Sequence, residues 1–396
     1  MNTLVFDFDR QGLQRSLADG PAVSRVLHPD EPLYLFSTAA LEARAAEFLA
    51  GFPGEVAYAV KSNPGAHVLK TLAGAGIEVF DVASVEEMEA VREAAPHALL
   101  HYHNPIKSRA EIARARFAFG CSRFAADDEA EIAKIADVVG DAAGIEIAIR
   151  FRLPSHGASA HDFSSKFGAT PEEAAELLRA VVARGFAPVL TFHPGSQCTD
   201  PAAFARHIDV AAEIASVAGV TLAALNVGGG FPWRYRDGVV PALDAYFRVI
   251  AETAAAAFEG AEPKLECEPG RGLVAGSTSL LTRVKLVKGK RGEVFVNDGI
   301  YGGLMEVAQA PTLAPPHRVI RNGAVVEATE LKPFVVYGPT CDPLDRLPGA
   351  LMLPADVAED DFIEFGSLGA YGAATSTCFN GYKPAAVVEV ETAFSL

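Results

Sequence analysis

Length, composition and charge limit the functions open to this chain. Its 396 residues suffice for about two to three domains. The 34 Lys and Arg residues against 50 Asp and Glu residues give a formal net charge of −16, which repels nucleic-acid phosphates and anionic membrane surfaces. Because the sequence shows neither a long uncharged apolar run nor a basic leader, we expect a cytoplasmic protein with no nucleic acid and no membrane as partner.

A repeated pattern of apolar runs and helical segments predicts the fold of the first two thirds of the chain. A short strand at 33–37 and a helix at 39–50 come first. Short runs rich in Val, Ile and Phe then alternate with helical segments. We predict strands at 55–60, 77–82, 97–103, 121–126, 144–152, 187–193, 222–227 and 264–268. Eight such units in succession indicate a closed (β/α)8 barrel, with an open Rossmann-like sheet as the alternative.

The pattern changes near residue 278. Strand-like segments separated by Gly and Pro turns follow, without a long helical period. They predict a C-terminal β domain, which we expect the early strand at 33–37 to join. The fold class is therefore α/β, with a barrel at 38–277 and a β domain at 1–37 and 278–396.

Polar residues and glycines follow the predicted barrel strands. A barrel collects the carboxyl ends of its strands on one face, where substrates and cofactors bind. That face would carry Lys61, Asp81, Arg150, His193, Ser196, Gly228, Gly229, Gly230, Glu268, Gly270 and Arg271. Desolvation would lower the pKa of the lysine and ready it for a Schiff base, and the glycine run would cradle a phosphate. Each residue also has a simpler interpretation. The alternatives are a solvated charge for Lys61, a flexible turn for Gly228–Gly230, a surface salt bridge for Arg271, a turn acid for Glu268 and a buried, hydrogen-bonded ring for His193.

Evidence for a metal site is weak in the sequence. His101 and His103 alternate on one predicted strand and so share a face, but no third nitrogen or thiolate ligand is placed nearby. The five cysteines are scattered and form no CxxC pair, which predicts free thiols rather than disulfides or a zinc site. We expect no metal.

An ordered set of motifs spans residues 55 to 382. AVKSNPG, FDVAS, KFG, FHPGSQCTDP, NVGGGFP, EPGRGLVA, NDGIYGG, YGPTCDPLDRL and GAYGAATSTCFNGY occur in this order. Together they resemble the fold-type III pyridoxal-phosphate decarboxylases, which have an alanine-racemase-like barrel, and most of all the ornithine/lysine decarboxylase branch. The resemblance implies decarboxylation of L-ornithine or L-lysine to the diamine and CO₂, in polyamine biosynthesis.

The resemblance implies a role for each matching residue. Lys61 would hold pyridoxal 5'-phosphate as a Schiff base, His193 would stack on the ring, and Glu268 would pair with the ring nitrogen. The phosphate would lie on Ser196, Gly228, Gly229, Gly230, Gly270, Arg271 and Tyr371, with Asp81 and Arg150 beside the lysine and the cofactor.

In the family, two subunits of a head-to-tail dimer complete each other's active sites. The resemblance therefore implies a homodimer with shared sites, in which the CDxxD loop at 341–345 reaches the partner's barrel. Cys341 would return a proton to the substrate carbon, and Asp342 would bind the distal ammonium of a diamino acid. Tyr301, in the NDGxYG motif, is a further candidate for substrate binding.

The chain differs from the ornithine/lysine decarboxylase branch in lacking a second acid that would bind the distal ammonium of the substrate. A gapless alignment places Gln309 and Ala310 where ornithine decarboxylases commonly carry a Tyr-Asp pair, and Glu306 is an acid nearby that could replace it. The preferred amino acid stays open, with diaminopimelate or carboxynorspermidine as alternative substrates. The CDxxD cysteine disfavours an amino-acid racemase, and the retained lysine, glutamate, arginine and cysteine disfavour a non-catalytic decarboxylase-like binding protein.

Overall fold

The described residues form two compact units. The structure is a computed structural model that describes residues 17–153, 166–235, 238–382 and 385–395. One unit contains the described parts of Met1–Arg44, Trp233–Val239 and Leu273–Leu396, and the other contains Ala45–Pro232 and Val240–Gly272. The domain limits drawn from the sequence pattern stay a prediction.

Helices and strands are numbered here in chain order. The strands are β1 Leu33–Phe36, β2 Glu55–Ala59, β3 Val79–Val82, β4 Leu99–Tyr102, β5 Arg123–Ala126, β6 Glu146–Arg150, β7 Ala187–Thr191, β8 Ala224–Asn226, β9 Lys264–Cys267, β10 Thr278–Lys288, β11 Glu293–Val296, β12 His317–Arg321, β13 Ala324–Val325, β14 Leu331–Tyr337, β15 Leu351–Pro354, β16 Phe362–Phe365 and β17 Ala386–Glu389. The α-helices are α1 Gly20–Leu27, α2 Thr38–Gly51, α3 Ala66–Gly74, α4 Val85–Ala94, α5 Arg109–Ala113, α6 Glu129–Val139, α7 Pro171–Ala183, α8 Ala202–Ala218, α9 Leu243–Ala257, α10 Arg271–Val274, α11 Met305–Gln309 and α12 Gly372–Thr375. Within the described ranges, no helix has the length and apolar character that a membrane crossing requires.

Strands β2 to β9 close into a barrel, which confirms the (β/α)8 fold over the open sheet. Each strand pairs in parallel with the next, and β2 pairs with β9, where Val56 lies opposite Cys267. All eight strands predicted between residues 55 and 268 are present. Outside them, Phe231 packs edge-on against Phe48 and Phe247, with ring centroids 5.5 and 5.9 Å apart. A buried aromatic cluster thus joins α2 and α9 to the segment that follows β8.

Local signals in the sequence explain where a barrel helix begins. Before α7, the Thr170 hydroxyl accepts the backbone N–H of Glu173, and the Glu173 carboxylate accepts the backbone N–H of Thr170 in return. Pro171 occupies the first helical position, where no backbone donor is needed. Gly185 follows the helix with a φ of +82°, a conformation that favours glycine. These residues mark the start and the end of the helix in the sequence itself.

The other unit is built on a nine-stranded sheet. Its order is β13-β12-β16-β10-β11-β14-β15, with β1 lying between β10 and β17. The early strand thus joins the C-terminal strands, as predicted. The long strand β10 pairs with β1 and β16 through its first half and with β11 through its second. Its residues Leu280 and Val284 lie in the main apolar core of this unit.

Three strands of this sheet were missed in the sequence, namely β12, β13 and β15. They are short and partly exposed, so their side chains give no clear alternation of apolar and polar residues. A turn signal was nevertheless present. Asn322 and Gly323 join β12 to β13 with φ angles of +52° and +75°, and Asn-Gly is the pair that favours such hairpin turns.

A buried ion network lies inside the barrel near the amino ends of its strands. The Arg123 guanidinium, 4% exposed, contacts the Glu146 carboxylate at 2.5 Å and also contacts Glu266, whose side chain is fully buried. Burial raises the pKa of Glu266, and the charge of Arg123 opposes that rise. Arg123 is therefore the group that allows the Glu266 carboxylate to be buried.

We expect Arg123→Met to lower the free energy of unfolding by about 3–5 kcal/mol, because Glu266 would be left buried without its cation. Urea denaturation measures this loss. The double variant Arg123→Met/Glu266→Gln should recover part of the stability. Arg109→Met, which breaks an exposed ion pair with Asp137, is the control and should cost less than about 1 kcal/mol. Equal losses in the two single variants would contradict the role given to the buried network.

Candidate active site

The predicted site residues of the barrel lie at the carboxyl ends of its strands. Lys61 belongs to a 3-10 turn that directly follows β2, and Asp81 lies on β3. His193 and Glu268 come shortly after β7 and β9. A parallel barrel brings these positions to one end, so the residues that the sequence associated share that end.

Lys61 is paired with a carboxylate rather than desolvated. Its Nζ lies 3.2 Å from Oδ2 of Asp81, and its side chain is 45% exposed. The turn that carries it is fixed by Ser62, whose hydroxyl donates to the Ala59 carbonyl at 2.8 Å. A Cβ on Gly270 would lie 3.1 Å from the Ser62 side chain, so glycine allows a close approach there. Its exposed side chain does not show the burial that the desolvation argument assumed, and Asp81 is a charged partner of this amine.

Glu268 receives two hydrogen bonds on one of its oxygens. Nδ2 of Asn226 donates to Oε1 at 2.6 Å, and Nδ1 of His103 contacts the same atom. Among the residues that the structure describes, no donor is recorded for Oε2. One oxygen of the carboxylate is therefore held by the protein, and the other is available to a ligand.

The two carboxylates at this end of the barrel differ in protonation. Burial, together with the nearby charge of Glu268, raises the pKa of Asp81. Burial also acts against the ionised form of Glu268, but His103, Lys61 and Asn226 outweigh it and hold the pKa of Glu268 below its ordinary value. When two like charges share one buried site, their pKa values move apart, and the group with the stronger partners keeps its charge. Glu268 is the carboxylate that stays ionised.

His193 is held as a neutral ring. The backbone N–H of Gly195 donates to its Nδ1 at 3.0 Å, so a hydrogen on this ring belongs to Nε2. Burial and the charges of Arg150 and Lys61 lower the pKa of His193 to about 3. A Cβ on Gly229 would lie 3.2 Å from Nε2, so the ring edge faces the glycine run.

The run Gly228–Gly230 needs glycine and leaves backbone donors free. Gly228 and Gly230 have φ angles of +69° and +91°, and a Cβ on either would collide with a carbonyl oxygen at 2.0 or 2.5 Å. The N–H of Gly228 donates to the Asn226 side chain at 2.8 Å and is therefore occupied. No hydrogen bond from the N–H of Gly229 or Gly230 to another described residue is present. Two amides rather than three are thus free for an anion.

Two arginines complete the predicted set in this unit. Nε of Arg271 lies 3.3 Å from the Ser196 hydroxyl, and both residues are buried. Arg150 ends β6, with its guanidinium carbon 5.5 Å from the centroid of the Phe167 ring. Burial lowers the pKa of Arg150. A guanidinium and backbone amides are both groups that bind phosphate oxygens, so Arg271 and the two amides fit a phosphate group.

The residues at this end of the barrel fit pyridoxal phosphate. An amine on Lys61 suits an aldehyde, the free oxygen of Glu268 suits a protonated ring nitrogen, and Arg271 with the free amides suits a phosphate. These three groups match the three functional parts of the cofactor.

The remaining predicted residues lie in the other unit, where Asp345 fixes the loop at 341–345. Its buried carboxylate accepts the backbone N–H groups of Ile300 and Thr340, each at 3.0 Å, and the Thr340 hydroxyl at 2.7 Å. A Cβ on Gly338 would collide with the same carboxylate. The second aspartate of the CDxxD motif therefore holds the loop in shape, a role that the sequence did not reveal.

Cys341 and Asp342 lie at the outer side of this loop. Cys341 is exposed, and its backbone N–H and Sγ both lie within hydrogen-bond distance of Oδ1 of Asn380, at 3.1 and 3.2 Å. The Tyr301 hydroxyl donates to Oδ2 of Asp342 at 2.5 Å, and this bond lowers the pKa of Asp342. Tyr301 also packs against Phe379, with ring centroids 4.7 Å apart. These contacts join three motifs that are distant in the sequence.

Tyr371 and Glu306 occupy separate places in this unit. Tyr371 precedes α12 with a φ of +58°. Glu306 lies in α11 and is only 6% exposed, so it is not a solvated surface acid. Gln309, at the end of the same helix, is exposed, and Ala310 is buried.

Comparison with known proteins agrees with this site. A family model described as pyridoxal-dependent decarboxylase, pyridoxal binding domain, matches residues 38–275. The chain belongs to this family. It is 31% identical to a lysine/ornithine decarboxylase of Selenomonas ruminantium, over 85% of this chain and 83% of that protein. It is also 31% identical to antizyme inhibitor 2 of Xenopus laevis, over 83% and 74% of the two chains.

A solved structure supports the same fold. The crystal structure of a lysine/ornithine decarboxylase from Vibrio vulnificus, complexed with putrescine, superposes with a TM-score of 0.79 at 27% identity. The match covers 93% of this chain and 96% of that one. The pyridoxal-phosphate decarboxylase family inferred from the motifs is thus confirmed.

Four residues of the site were missed as such in the sequence: His103, Asn226, Asp345 and Asn380. His103 ends a predicted strand and so belongs to the functional end of the barrel, but the sequence gives it no role beyond a weak metal-ligand alternative shared with His101. The structure places the two imidazoles in separate clusters, His101 with Glu55 and Glu266, and His103 with Asp81 and Glu268, and the potential ligand atoms of each cluster lie within 4.8 Å of one another. Asn226 and Asn380 each adjoin a glycine motif, which was the one signal available for them.

We expect His193 to make stability fall with falling pH. Its pKa is 6.5 in the unfolded chain and about 3 when folded. Below pH 6.5 the unfolded chain binds a proton that the folded chain does not, so the contribution of the neutral ring is complete above pH 6.5 and is lost toward pH 3. His193→Phe should flatten this part of a urea-midpoint profile, whereas His97→Gln, at an exposed histidine, should not. Equal profiles for wild type and His193→Phe would contradict the assignment.

We expect Asp345→Asn to loosen the loop that carries Cys341, because an amide cannot accept the same set of hydrogen bonds as a carboxylate. Trypsin cleavage after Arg346 should then become several-fold faster. Leu344→Ala is the matched control, since its side chain lies in the same loop and is 67% exposed, and it should leave the cleavage rate nearly unchanged. Unchanged cleavage in Asp345→Asn would show that the loop is held by other contacts.

Proposed function

We propose that this chain is a pyridoxal-phosphate-dependent decarboxylase of basic amino acids, L-ornithine or L-lysine, that acts as a cytoplasmic homodimer. The observation that carries the proposal is that Lys61, paired with Asp81, and an ionised Glu268 lie at the same end of the barrel. When bound, pyridoxal phosphate supplies an electron sink for the electron pair that stays on the substrate carbon after CO₂ leaves.

The barrel residues would hold and orient this cofactor. Lys61 would bind its aldehyde, and the free oxygen of Glu268 would keep its ring nitrogen protonated. The neutral ring of His193 would contact the ring without adding charge. Arg271, with the free amides of the glycine run, would bind the phosphate and fix the ring against rotation.

The loop residues of the other unit would act on the substrate. Cys341 carries an exposed thiol that Asn380 holds, which suits a donor of a proton to the substrate carbon. The Tyr301 hydroxyl keeps Asp342 ionised, so that this carboxylate would attract a distal ammonium. The same charge would repel the distal carboxylate of diaminopimelate, which favours ornithine or lysine, whose distal carbon carries an ammonium alone.

A homodimer is part of the proposal. Cys341 lies on the surface of its unit, in a loop held by a buried aspartate. Residues of this kind suit a loop that enters the site of a second subunit, and the resemblance to the family implies that arrangement. The relatives named as lysine/ornithine decarboxylases support a basic amino acid as the substrate.

A non-catalytic binding protein is the alternative, since one relative is named an antizyme inhibitor. In this chain, however, the lysine, its aspartate partner, the ionised glutamate and the buried arginine are all present and in contact with suitable groups. A protein that only binds a partner has no need of this set, so its presence favours the enzyme.

Amine formation tests the proposal. The purified protein, loaded with pyridoxal phosphate, is given ornithine, lysine, arginine, diaminopimelate or carboxynorspermidine, with Lys61→Ala as the inactive control. We expect putrescine from ornithine or cadaverine from lysine, and visible absorbance that Lys61→Ala lacks. Absence of cofactor absorbance from the wild type would overturn the enzyme assignment, and turnover of diaminopimelate alone would overturn the substrate class.

The same assay tests the role of Asp342. Asp342→Asn should raise KM for ornithine by about tenfold to a hundredfold, because the distal ammonium loses a charged partner. Norvaline, which lacks that ammonium, is the matched control substrate and should lose little. Equal losses on both substrates would remove Asp342 from ammonium binding.

A further inference from the structure

His103 is a buried histidine in contact with the carboxylate of Glu268, at the carboxyl end of the barrel strands. It follows β4 directly, and its side chain is 6% exposed. Its Nδ1 contacts Oε1 of Glu268 and lies 3.9 Å from Oδ1 of Asp81. The resemblance to known decarboxylases assigned this residue nothing, so its contacts require their own explanation.

The hydrogen-bonding capacity of the ring is used at one nitrogen. Nε2 of His103 is buried and has no hydrogen-bond partner among the described residues. Nδ1 therefore carries the hydrogen that Oε1 of Glu268 accepts, both in the neutral ring and in the imidazolium. The Asn226 amide donates to the same oxygen. Together, His103 and Asn226 saturate Oε1 and leave Oε2 for another donor.

Charged groups from three other strands act on this ring. Glu268 after β9 and Asp81 on β3 favour its protonated form, whereas Arg123 on β5 opposes it. The neighbouring imidazole of His101 on β4 is held neutral, because burial and the charge of Arg123 lower its pKa. Burial also opposes protonation, but the charge and hydrogen bond of Glu268 outweigh it and raise the pKa of His103. The ring is therefore a cation partner for two buried carboxylates.

Lys61 is the other cation of this cluster. Its amine lies against Asp81, but in the proposed function the same amine binds the cofactor aldehyde. His103 is then the cation that stays beside the two carboxylates. A buried carboxylate without such a partner would take up a proton and could no longer accept one from a ring nitrogen.

We propose that His103 is a positioning residue for Glu268: with Asn226 it occupies Oε1 and so presents an ionised Oε2 to the ring nitrogen of pyridoxal phosphate. This inference rests on the proposed function. It assigns different roles to the two oxygens of Glu268: Oε1 orients the side chain, and Oε2 contacts the ligand. His103 itself needs no contact with substrate or cofactor.

Cofactor binding with and without a ring nitrogen tests the proposal. The apo forms of full-length wild type, His103→Ala and His103→Gln are titrated with pyridoxal phosphate and with its analogue that has carbon in place of the ring nitrogen. His103→Ala should weaken pyridoxal phosphate by about tenfold or more and the analogue by less than about twofold. His103→Gln, whose amide can donate to Glu268, should recover part of the loss. His101→Gln, on the same face of the same strand, is the control and should affect neither ligand selectively.

The outcomes separate this inference from the proposed function. Equal weakening of both ligands by His103→Ala would indicate a purely structural role and overturn the proposal, and so would no weakening of either. Failure of the wild type to bind pyridoxal phosphate at all would overturn the proposed function as well as the inference that rests on it.

A second measurement needs no variant and no cofactor. In ¹⁵N-histidine-labelled apo protein, NMR should show a hydrogen on Nδ1 of His103 across neutral pH. A ring with a bare Nδ1 and a hydrogen only on Nε2 could not donate to Glu268, so that result would overturn the proposal whether or not the cofactor binds.

Discussion

The burial of two carboxylates at one end of the barrel is the constraint on which the rest of the site depends. Asp81 and Glu268 lie close enough to raise each other's energy when both are ionised. Two cations and an amide offset this repulsion. Lys61 lies beside Asp81, and the His103 ring and the Asn226 amide both contact Glu268. This unequal division of partners fixes which acid keeps its charge, and therefore which one can meet a protonated ring.

The same strands carry a second polar layer deeper in the barrel. On β4, His101 lies one inward-facing position before His103, and their ring centroids are 5.5 Å apart. In the same way, Glu266 on β9 precedes Glu268 by two residues and is bound to Arg123. Because alternate residues of a strand share a face, the two layers are stacked within one interior. The site thus lies next to a second layer of buried polar side chains, in which Arg123 is the charged partner of Glu266.

Much of the fold could be predicted because it depends on local signals. The eight barrel strands, the capping box of α7 and the place of the early strand in the second sheet all follow from periodicity and turn residues. Short strands with little alternation, such as β12 and β15, carry no comparable signal. Their existence depends on the sheet edge that they pair with rather than on their own residues.

The candidate site was predictable in its residues but not in its contacts. The contact between His103 and Glu268 joins positions 165 residues apart, and nothing in the order of the chain predicts it. The contacts seen in the structure also change the interpretation of residues that the sequence had singled out. Lys61 proved to be exposed beside an acid, and one amide of the glycine run proved to be taken by Asn226. The chemistry of a residue can be read from its type, whereas its electrostatic environment is set by neighbours that only the fold brings together.

The position of β1 has a consequence for how the molecule assembles. This strand lies between β10 and β17, both of which follow the entire barrel in the chain. During synthesis, β1 therefore leaves the ribosome long before either neighbour exists, and closing so long a loop has an entropic cost that delays the pairing. In the barrel, in contrast, seven of the eight strand pairings join strands that are consecutive in the sequence, and only the pairing of β2 with β9 closes a long loop. We expect the barrel to acquire structure first. The nine-stranded sheet can be completed only after β17, the last strand of the chain, has been synthesised.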